Sequence, residues 1–139
     1  MRKKFTHPFP VVRLIIPDER GQILLLRRSH TEFCPDRWCL PGGLVDYAET
    51  VEEAAARELR EECKLDLISI KFLFYQDSLP QEAGMLHGIN LYFECTAHGD
   101  LKLNNESSEY AWISQSNLDR YDIAFKNNRG LIRYWKEFY

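Results

Sequence analysis

The stretch Gly43 to Leu65 reads GLVDYAETVEEAAARELREECKL, and its second half is a short helix crowded with acids. Thr50 followed three residues later by Glu53 is a capping-box pattern, which predicts a helix from Val51 to about Lys64. At about 100° per residue, Glu58, Glu61 and Glu62 fall within an arc of about 100°. That arc overlaps the one carrying Val51, Ala54 and Ala55, so the acids are expected to face inward or to edge the buried stripe. Arg57, Arg60, Glu53 and Lys64 fall on the opposite, solvated side. Two carboxylates about 5 to 6 Å apart repel by roughly 3 kcal/mol at an effective dielectric of about 20, so three on a half-buried face call for a cation. Ligands that are all oxygen select Mg²⁺, Mn²⁺ or Ca²⁺ over zinc.

The plain alternative is an acidic helix laced with i, i+4 pairs such as Arg57 with Glu61. What separates the two is the company the helix keeps: the Pro41-Gly42-Gly43 turn, Glu49 and the capping box all arrive at fitting offsets. Together these residues resemble the signature of the Nudix hydrolases, G-x5-E-x7-R-E-U-x-E-E-x-G-U, where U is a bulky apolar residue. Six of its seven fixed letters match, as Gly43, Glu49, Arg57, Glu58, Glu61 and Glu62. The departure is Lys64, which stands where the family has a glycine and where a helix commonly ends in a left-handed residue. A lysine forced into that conformation costs roughly 1 kcal/mol. The ligands precede it, so a small adjustment of the helix exit is expected and the site is retained.

The resemblance implies an α/β fold of Nudix type, an αβα sandwich with a mixed central sheet. It also implies a metal-dependent pyrophosphohydrolase, with Mg²⁺ or Mn²⁺ as cofactor, that cleaves a nucleoside diphosphate linked to another group X. By the same carry-over, Glu58, Glu61 and Glu62 are the metal carboxylates and Gly42 supplies a backbone carbonyl ligand. Glu49 and Arg57 brace the loop against the helix and so orient ligands without binding the metal. Water attack also needs a general base. Several Nudix enzymes place a glutamate in the region of Glu106 and Glu109, and Glu106 is the stronger candidate because Asn105 and Ser107 let its loop fold over a cleft. The expected catalytic set is therefore Glu49, Arg57, Glu61, Glu62 and Glu106. The helix acids, committed to a metal, are expected to have depressed pKa values.

Substrate identity is less legible. Pro80 lies near where ADP-ribose-cleaving members tend to carry a proline, and nucleoside triphosphates remain an equal contender. Phe33, Trp38 and Tyr75 could stack on a base, although such residues are more often core or rim. Arg27 and Arg28 at a strand end could meet phosphates, with only one able to point into the cleft. A different class of answer is a non-catalytic Nudix-fold module that binds a nucleotide or a protein. Its mark would be lost acids in the signature, and none is lost.

The remaining chain frames this core. With 139 residues, 45% of them hydrophobic, residues 1–139 are expected to form one domain. A net charge of -3 gives no global attraction to a nucleic acid polymer, so the expected partner is a small nucleotide, with a homodimer left open. No run is long enough to cross a membrane. The N-terminal Arg2, Lys3 and Lys4 are not followed by the apolar stretch of a signal peptide. Cys34, Cys39, Cys63 and Cys95 form no C-x-x-C pair and are expected to be free thiols, which suggests a cytoplasmic location. His7, His30, His87 and His98 are scattered singly, without zinc-ligand spacing.

Strands are expected over Val11–Ile16 and Gln22–Arg28, joined by a turn, and at Trp38–Leu40. The alternation of Ile68, Ile70, Phe72 and Phe74, repeated by Ile89, Leu91, Phe93 and Cys95, predicts two more. Leu101–Leu103 and Tyr110–Ser114 are shorter candidates, Gln76–Leu86 reads as a loop, and Asn127–Tyr139 predicts a closing helix.

Overall fold

The computed structural model describes residues 7–30, 34–80 and 85–139. Strand β1 (Phe9–Ile15) is followed by β2 (Ile23–Arg28), β3 (Trp38–Cys39), β4 (Gly42–Leu44), helix α1 (Val51–Cys63), β5 (Asp66–Ser78), β6 (Gly88–His98), β7 (Ser107–Ile113), a 3₁₀ turn (Gln115–Arg120) and helix α2 (Asn127–Glu137). One sheet has the order β4-β1-β6-β5 and the other β3-β2-β7. Only β1 and β6 run parallel; the other pairs are antiparallel, so the larger sheet is mixed.

The continuous apolar runs of β1 and β2 have a simple cause. Val12, Leu14, Leu24 and Leu26 pack with Ala54, Ala55, Leu59 and Cys63 of α1. The intervening Ile15, Ile23 and Leu25 pack with Leu131, Tyr134 and Trp135 of α2. Both faces of each strand are buried, so hydrophobicity does not alternate. The result is the expected αβα sandwich, with α1 and α2 on opposite faces.

Several expectations need correction. The turn after β1 is present, with Asp18 Oδ1 accepting from Arg20 and Gln22 N–H at 2.9 and 2.8 Å, but it carries the chain from one sheet into the other and β1 and β2 are not ladder partners. The Pro41-Gly42-Gly43 segment is not a free turn: Gly42 and Gly43 lie in β4, opposite Arg13 and Val12. The alternation of β5 does not map onto one face, because bulges interrupt it between Leu67 and Ser69 and between Phe72 and Phe74. Ile68 and Phe72 are consequently exposed while Phe74 is buried; β5 also runs three residues into the expected loop. Leu101–Leu103 is no strand; Leu101 and Leu103 pack against the α1-side core, and Lys102 N–H bonds to the Cys63 carbonyl at 2.9 Å. The 3₁₀ turn was not foreseen, and Phe138 lies just past the end of α2. The four cysteines are free, as expected, and no helix among the described residues is long and apolar enough to cross a membrane.

Candidate active site

Helix α1 begins as its sequence dictates. Thr50 Oγ1 accepts from Glu53 N–H at 3.1 Å and Glu53 Oε1 accepts from Thr50 N–H at 2.9 Å, a complete capping box. It ends at Lys64, whose φ of 58° is left-handed, with its N–H bonded to the Arg60 carbonyl. Lys64 thus takes the left-handed conformation that a glycine commonly supplies at a helix end.

Arg57 organises one flank. Its Nε and Nη2 donate to the two oxygens of Glu49 at 2.7 and 2.9 Å, Nη1 donates to Glu58 at 2.8 Å and to Glu61 at 3.3 Å, and Nη2 also reaches the Leu44 carbonyl at 3.1 Å. The guanidinium therefore ties the loop after β4 to the helix, in the bidentate geometry that makes Arg–carboxylate pairs strong. The Arg57 hydrogen bonds, helped by Asp46 N–H, pull the Glu49 pKa down to about 2, and Glu49 in turn raises that of Arg57. The solvated placement expected for Arg57 is thus wrong: it is partly buried, held over the edge of the helix by these acceptors. Glu61 is more exposed than the inward arc implied, with a side-chain exposure of 56%, because it leans toward Arg57.

Glu62 sits deeper, at 8% exposure. Its Oε1 accepts the Gly42 N–H at 2.8 Å, so the contact made at Gly42 is through nitrogen. Gly42 has a φ of 143°, and a Cβ there would run into the Val12 carbonyl, so only glycine fits. Gly43 has no positive φ, contrary to the turn reading. A Cβ there would stand 2.7 Å from the Glu58 carboxylate, which would have to shift to admit it.

Burial, then the nearby Glu58 charge, push the Glu62 pKa up to about 8, against the pull of Gly42 N–H and Arg13. Glu58 is raised as well, by burial first, with Arg57 opposing and Glu61 and Glu106 reinforcing. The protein's own field thus raises both acids, and a depression of the kind expected for metal-bound carboxylates would have to come from the cation itself. Glu106, exposed and directly before β7, lies close enough to Glu58 and Glu62 to repel both. Glu109 is placed elsewhere, inside β7 and ion-paired with Arg27 at 2.9 Å.

Among the described residues no three His, Cys, Asp or Glu side chains converge on a single ligand point, since Arg57 draws Glu58 and Glu61 to itself. The donor chemistry nonetheless fits a hard divalent cation: only oxygens, two of the carboxylates desolvated and repelling each other, and Glu106 facing them.

The substrate candidates scatter. Arg27 is committed to Glu109 and to the Asp36 carbonyl. Arg28 lies 4.9 Å from the Phe125 ring centroid. Trp38 packs edge-on against Tyr121 at 5.0 Å, beside the α2-side core, and is rim and not a stacking platform. Tyr75 is exposed on β5, at the opposite edge of the sheet from β4. Pro80 borders a cleft of about 310 Å³ with Leu79, Leu86, Phe125, Lys126 and Arg129. Phe33 lies outside the described residues. Two residues on this side were missed, Arg13 and Phe125. A charge at the centre of the apolar run VVRLII was the available signal for the first; the second had none.

A NUDIX domain model matches residues 7–134. The nucleoside triphosphatase NudI of Escherichia coli O81 (strain ED1a) is 35% identical over 133 aligned residues, covering 87% of this chain and 92% of the relative. The MutT protein from Methanosarcina mazei Go1 superposes with a TM-score of 0.83 at 27% identity, covering 94% of each chain. The NUDIX domain of Shewanella oneidensis NrtR, in a structure complexed with ADP ribose, shares the fold with a TM-score of 0.75 at 21% identity over 96% of this chain and 89% of that one. With its signature acids placed on α1 and its fold matched over nearly its whole length, the chain belongs to the Nudix hydrolases, enzymes that act on phosphoanhydride bonds.

Proposed function

We propose that this chain hydrolyses nucleoside triphosphates to the nucleoside monophosphate and pyrophosphate, using Mg²⁺ or Mn²⁺ held by Glu58, Glu61 and Glu62. The observation that carries the reading is the pair Glu58 and Glu62: two buried or half-buried carboxylates whose pKa values burial raises, with the Glu58 charge adding to the rise of Glu62 and Glu106 adding to that of both. Such an arrangement is costly for the protein alone and favourable once a dication is shared. The likeness to NudI along most of both chains supports the triphosphate over an ADP-ribose-like substrate.

A bound divalent cation supplies charge neutralisation of phosphate oxygens and acidifies the attacking water. The chain's own residues do the rest. Arg57 fixes the Glu49 loop so that Gly42 and Gly43 stay against the helix acids. For Glu58 and Glu61 to turn inward, Arg57 keeps Glu49 and Leu44 and releases those two acids. Glu106 receives the proton of the attacking water, being, among the described residues, an exposed acid near the cluster that Arg57 does not bind. The Gly42 carbonyl would offer the cation a further oxygen donor beside the three carboxylates. All four signature acids, Glu49, Glu58, Glu61 and Glu62, are retained, which disfavours a non-catalytic binding module.

A panel of nucleoside triphosphates, ADP-ribose and nucleotide sugars, assayed with and without Mg²⁺, tests this. The expected result is Mg²⁺-dependent release of pyrophosphate from one or more triphosphates. Release of ribose phosphate from ADP-ribose alone would move the substrate class, and tight binding without turnover of any member would make the chain a binding module.

A further inference from the structure

Arg13 is a charged residue at the centre of β1, a strand paired on both sides, with β4 and with β6. It is 4% exposed. A buried arginine is normally tied down by carboxylates or by several acceptors, and Arg13 is not. No carboxylate lies within ion-pair distance of it among the described residues, and its one hydrogen bond is a long one, 3.4 Å from Nε to Asn90 Oδ1. The guanidinium carbon instead lies 4.6 Å from the centroid of Phe125. No fully buried side-chain nitrogen among the described residues is left without a partner, so the terminal nitrogens of Arg13, which have none, open onto the space beside Phe125.

That space has a definite position. Gly42, the cross-strand partner of Arg13, holds Glu62 through its N–H, and Arg13 is near enough to Glu62 to act on its charge. On the other side Phe125 forms part of the cleft with Leu79, Pro80, Leu86, Lys126 and Arg129. Arg13 therefore stands between the acids of α1 and the cleft. Its setting is also held with unusual care. Asn90 Nδ2 donates to the Phe125 carbonyl at 3.1 Å and to Gln76 at 2.9 Å, Gln76 Nε2 donates to the Lys126 carbonyl at 3.0 Å, and Asn127 Nδ2 donates to the Phe125 carbonyl at 3.3 Å. These bonds hold Phe125 and Lys126 in two consecutive left-handed conformations, φ 58° and 60°. Non-glycine residues kept there by their surroundings are a mark of functional segments.

We infer that Arg13 is a phosphate-binding residue, whose open guanidinium edge receives a phosphate group of the nucleotide where it passes from the α1 acids into the cleft beside Phe125. The planar fork of an arginine matches two phosphate oxygens at once, and Phe125 keeps the fork flat and aimed. The inference rests on the nucleotide reading above and adds to it the residue that grips the substrate on the side facing away from the metal ligands.

Calorimetric titration in EDTA isolates this contact from hydrolysis. The probes are nucleoside 5′-monophosphates of adenine, guanine, cytosine and uracil, each against its unphosphorylated nucleoside, with wild type, Arg13→Lys and Arg13→Met. Wild type is expected to bind at least one monophosphate about tenfold or more tighter than its nucleoside. Arg13→Met should abolish that preference, and Arg13→Lys, which keeps the charge and loses the fork, should reduce it severalfold. Arg13→Lys carries the test if the methionine variant fails to fold. A preference that is absent in wild type, or unchanged in Arg13→Lys and in folded Arg13→Met, overturns the assignment. Binding of monophosphates through Arg13 in a chain that hydrolyses no triphosphate would refute the proposed activity and leave the assignment standing; triphosphate hydrolysis with the same preference in all three proteins would do the reverse.

Discussion

On α1 the interacting charges are neighbours in the chain: Arg57 reaches Glu49, Glu58 and Glu61 within eight positions or fewer. Behind Phe125 the interacting polar groups come from β1, β5, β6 and the start of α2, with Arg13 and Asn90 77 positions apart. The first region is a surplus of negative charge held close by one arginine. The second is a buried positive charge set in neutral amides. The difference teaches how such a site divides its work, since on the proposed reading the acidic side trades contacts of Arg57 for a cation, while the amide side is cross-linked by hydrogen bonds between distant strands. Substitutions on the acidic side should therefore change rate with the fold intact, and substitutions on the amide side should change stability as well.

The largest effect is expected on the acidic side. Glu62→Gln should lower kcat by about a hundredfold or more, because it removes an anionic ligand and misplaces the ion, and Glu61→Gln should do likewise. The same Glu62→Gln change should stabilise the protein in EDTA at alkaline pH. A carboxyl whose pKa rises from 4.5 unfolded to about 8 folded binds its proton more tightly in the native state. The stability it contributes is full below pH 4.5 and is lost as pH rises through about 8. Melting in EDTA should accordingly show wild type losing on the order of 5 kcal/mol across that window and Glu62→Gln losing much less. A Glu62→Gln variant that melted far below wild type at pH 8 would make the acid structural and erase the contrast between the two regions.

Next comes the pair of acids near β7. Glu106→Gln is expected to reduce kcat strongly, by tenfold or more for a lost general base, with little change in KM. Glu109→Gln should be milder, because Glu109 is occupied with Arg27. Steady-state kinetics with the order reversed would move the base to Glu109. On the amide side, Asn90→Ala removes one of the two donors to the Phe125 carbonyl and to Gln76 Oε1 and should cost about 1 to 2 kcal/mol in a denaturant titration, while an unchanged midpoint would mean that the remaining donors hold the segment without Asn90. The smallest effect belongs to the helix exit. Lys64→Gly should add about 1 kcal/mol of stability by relieving the left-handed lysine, with no change in rate.

The same contrast explains what could be read from the chain alone. The capping box and the helix limits depend on offsets of a few residues, so spacing was enough to place them, while the Glu49–Arg57 pairing followed from the resemblance to the Nudix signature. Strand existence was legible for β1, β2, β5 and β6, because apolar runs bounded by turn residues have few other readings. The bulges in β5, the strand character of Gly42–Leu44 and the crossing of the chain between sheets depend on partners distant in sequence, and local pattern carries no record of them. Arg57 was misplaced because helical angle alone ignores that a long side chain can bend back over the helix toward acceptors on a loop. Arg13 was overlooked because a single charge in an apolar strand has no spacing partner to announce it.

The central claim is that the α1 acids serve hydrolysis through a divalent cation. Its most direct test is nucleoside triphosphate turnover in Mg²⁺ and after exhaustive chelation, with pyrophosphate and nucleoside monophosphate both measured. The account predicts equal yields of the two products in Mg²⁺, loss of turnover in excess EDTA, and recovery on adding back Mg²⁺ or Mn²⁺. Turnover that persists unchanged in excess EDTA would contradict it.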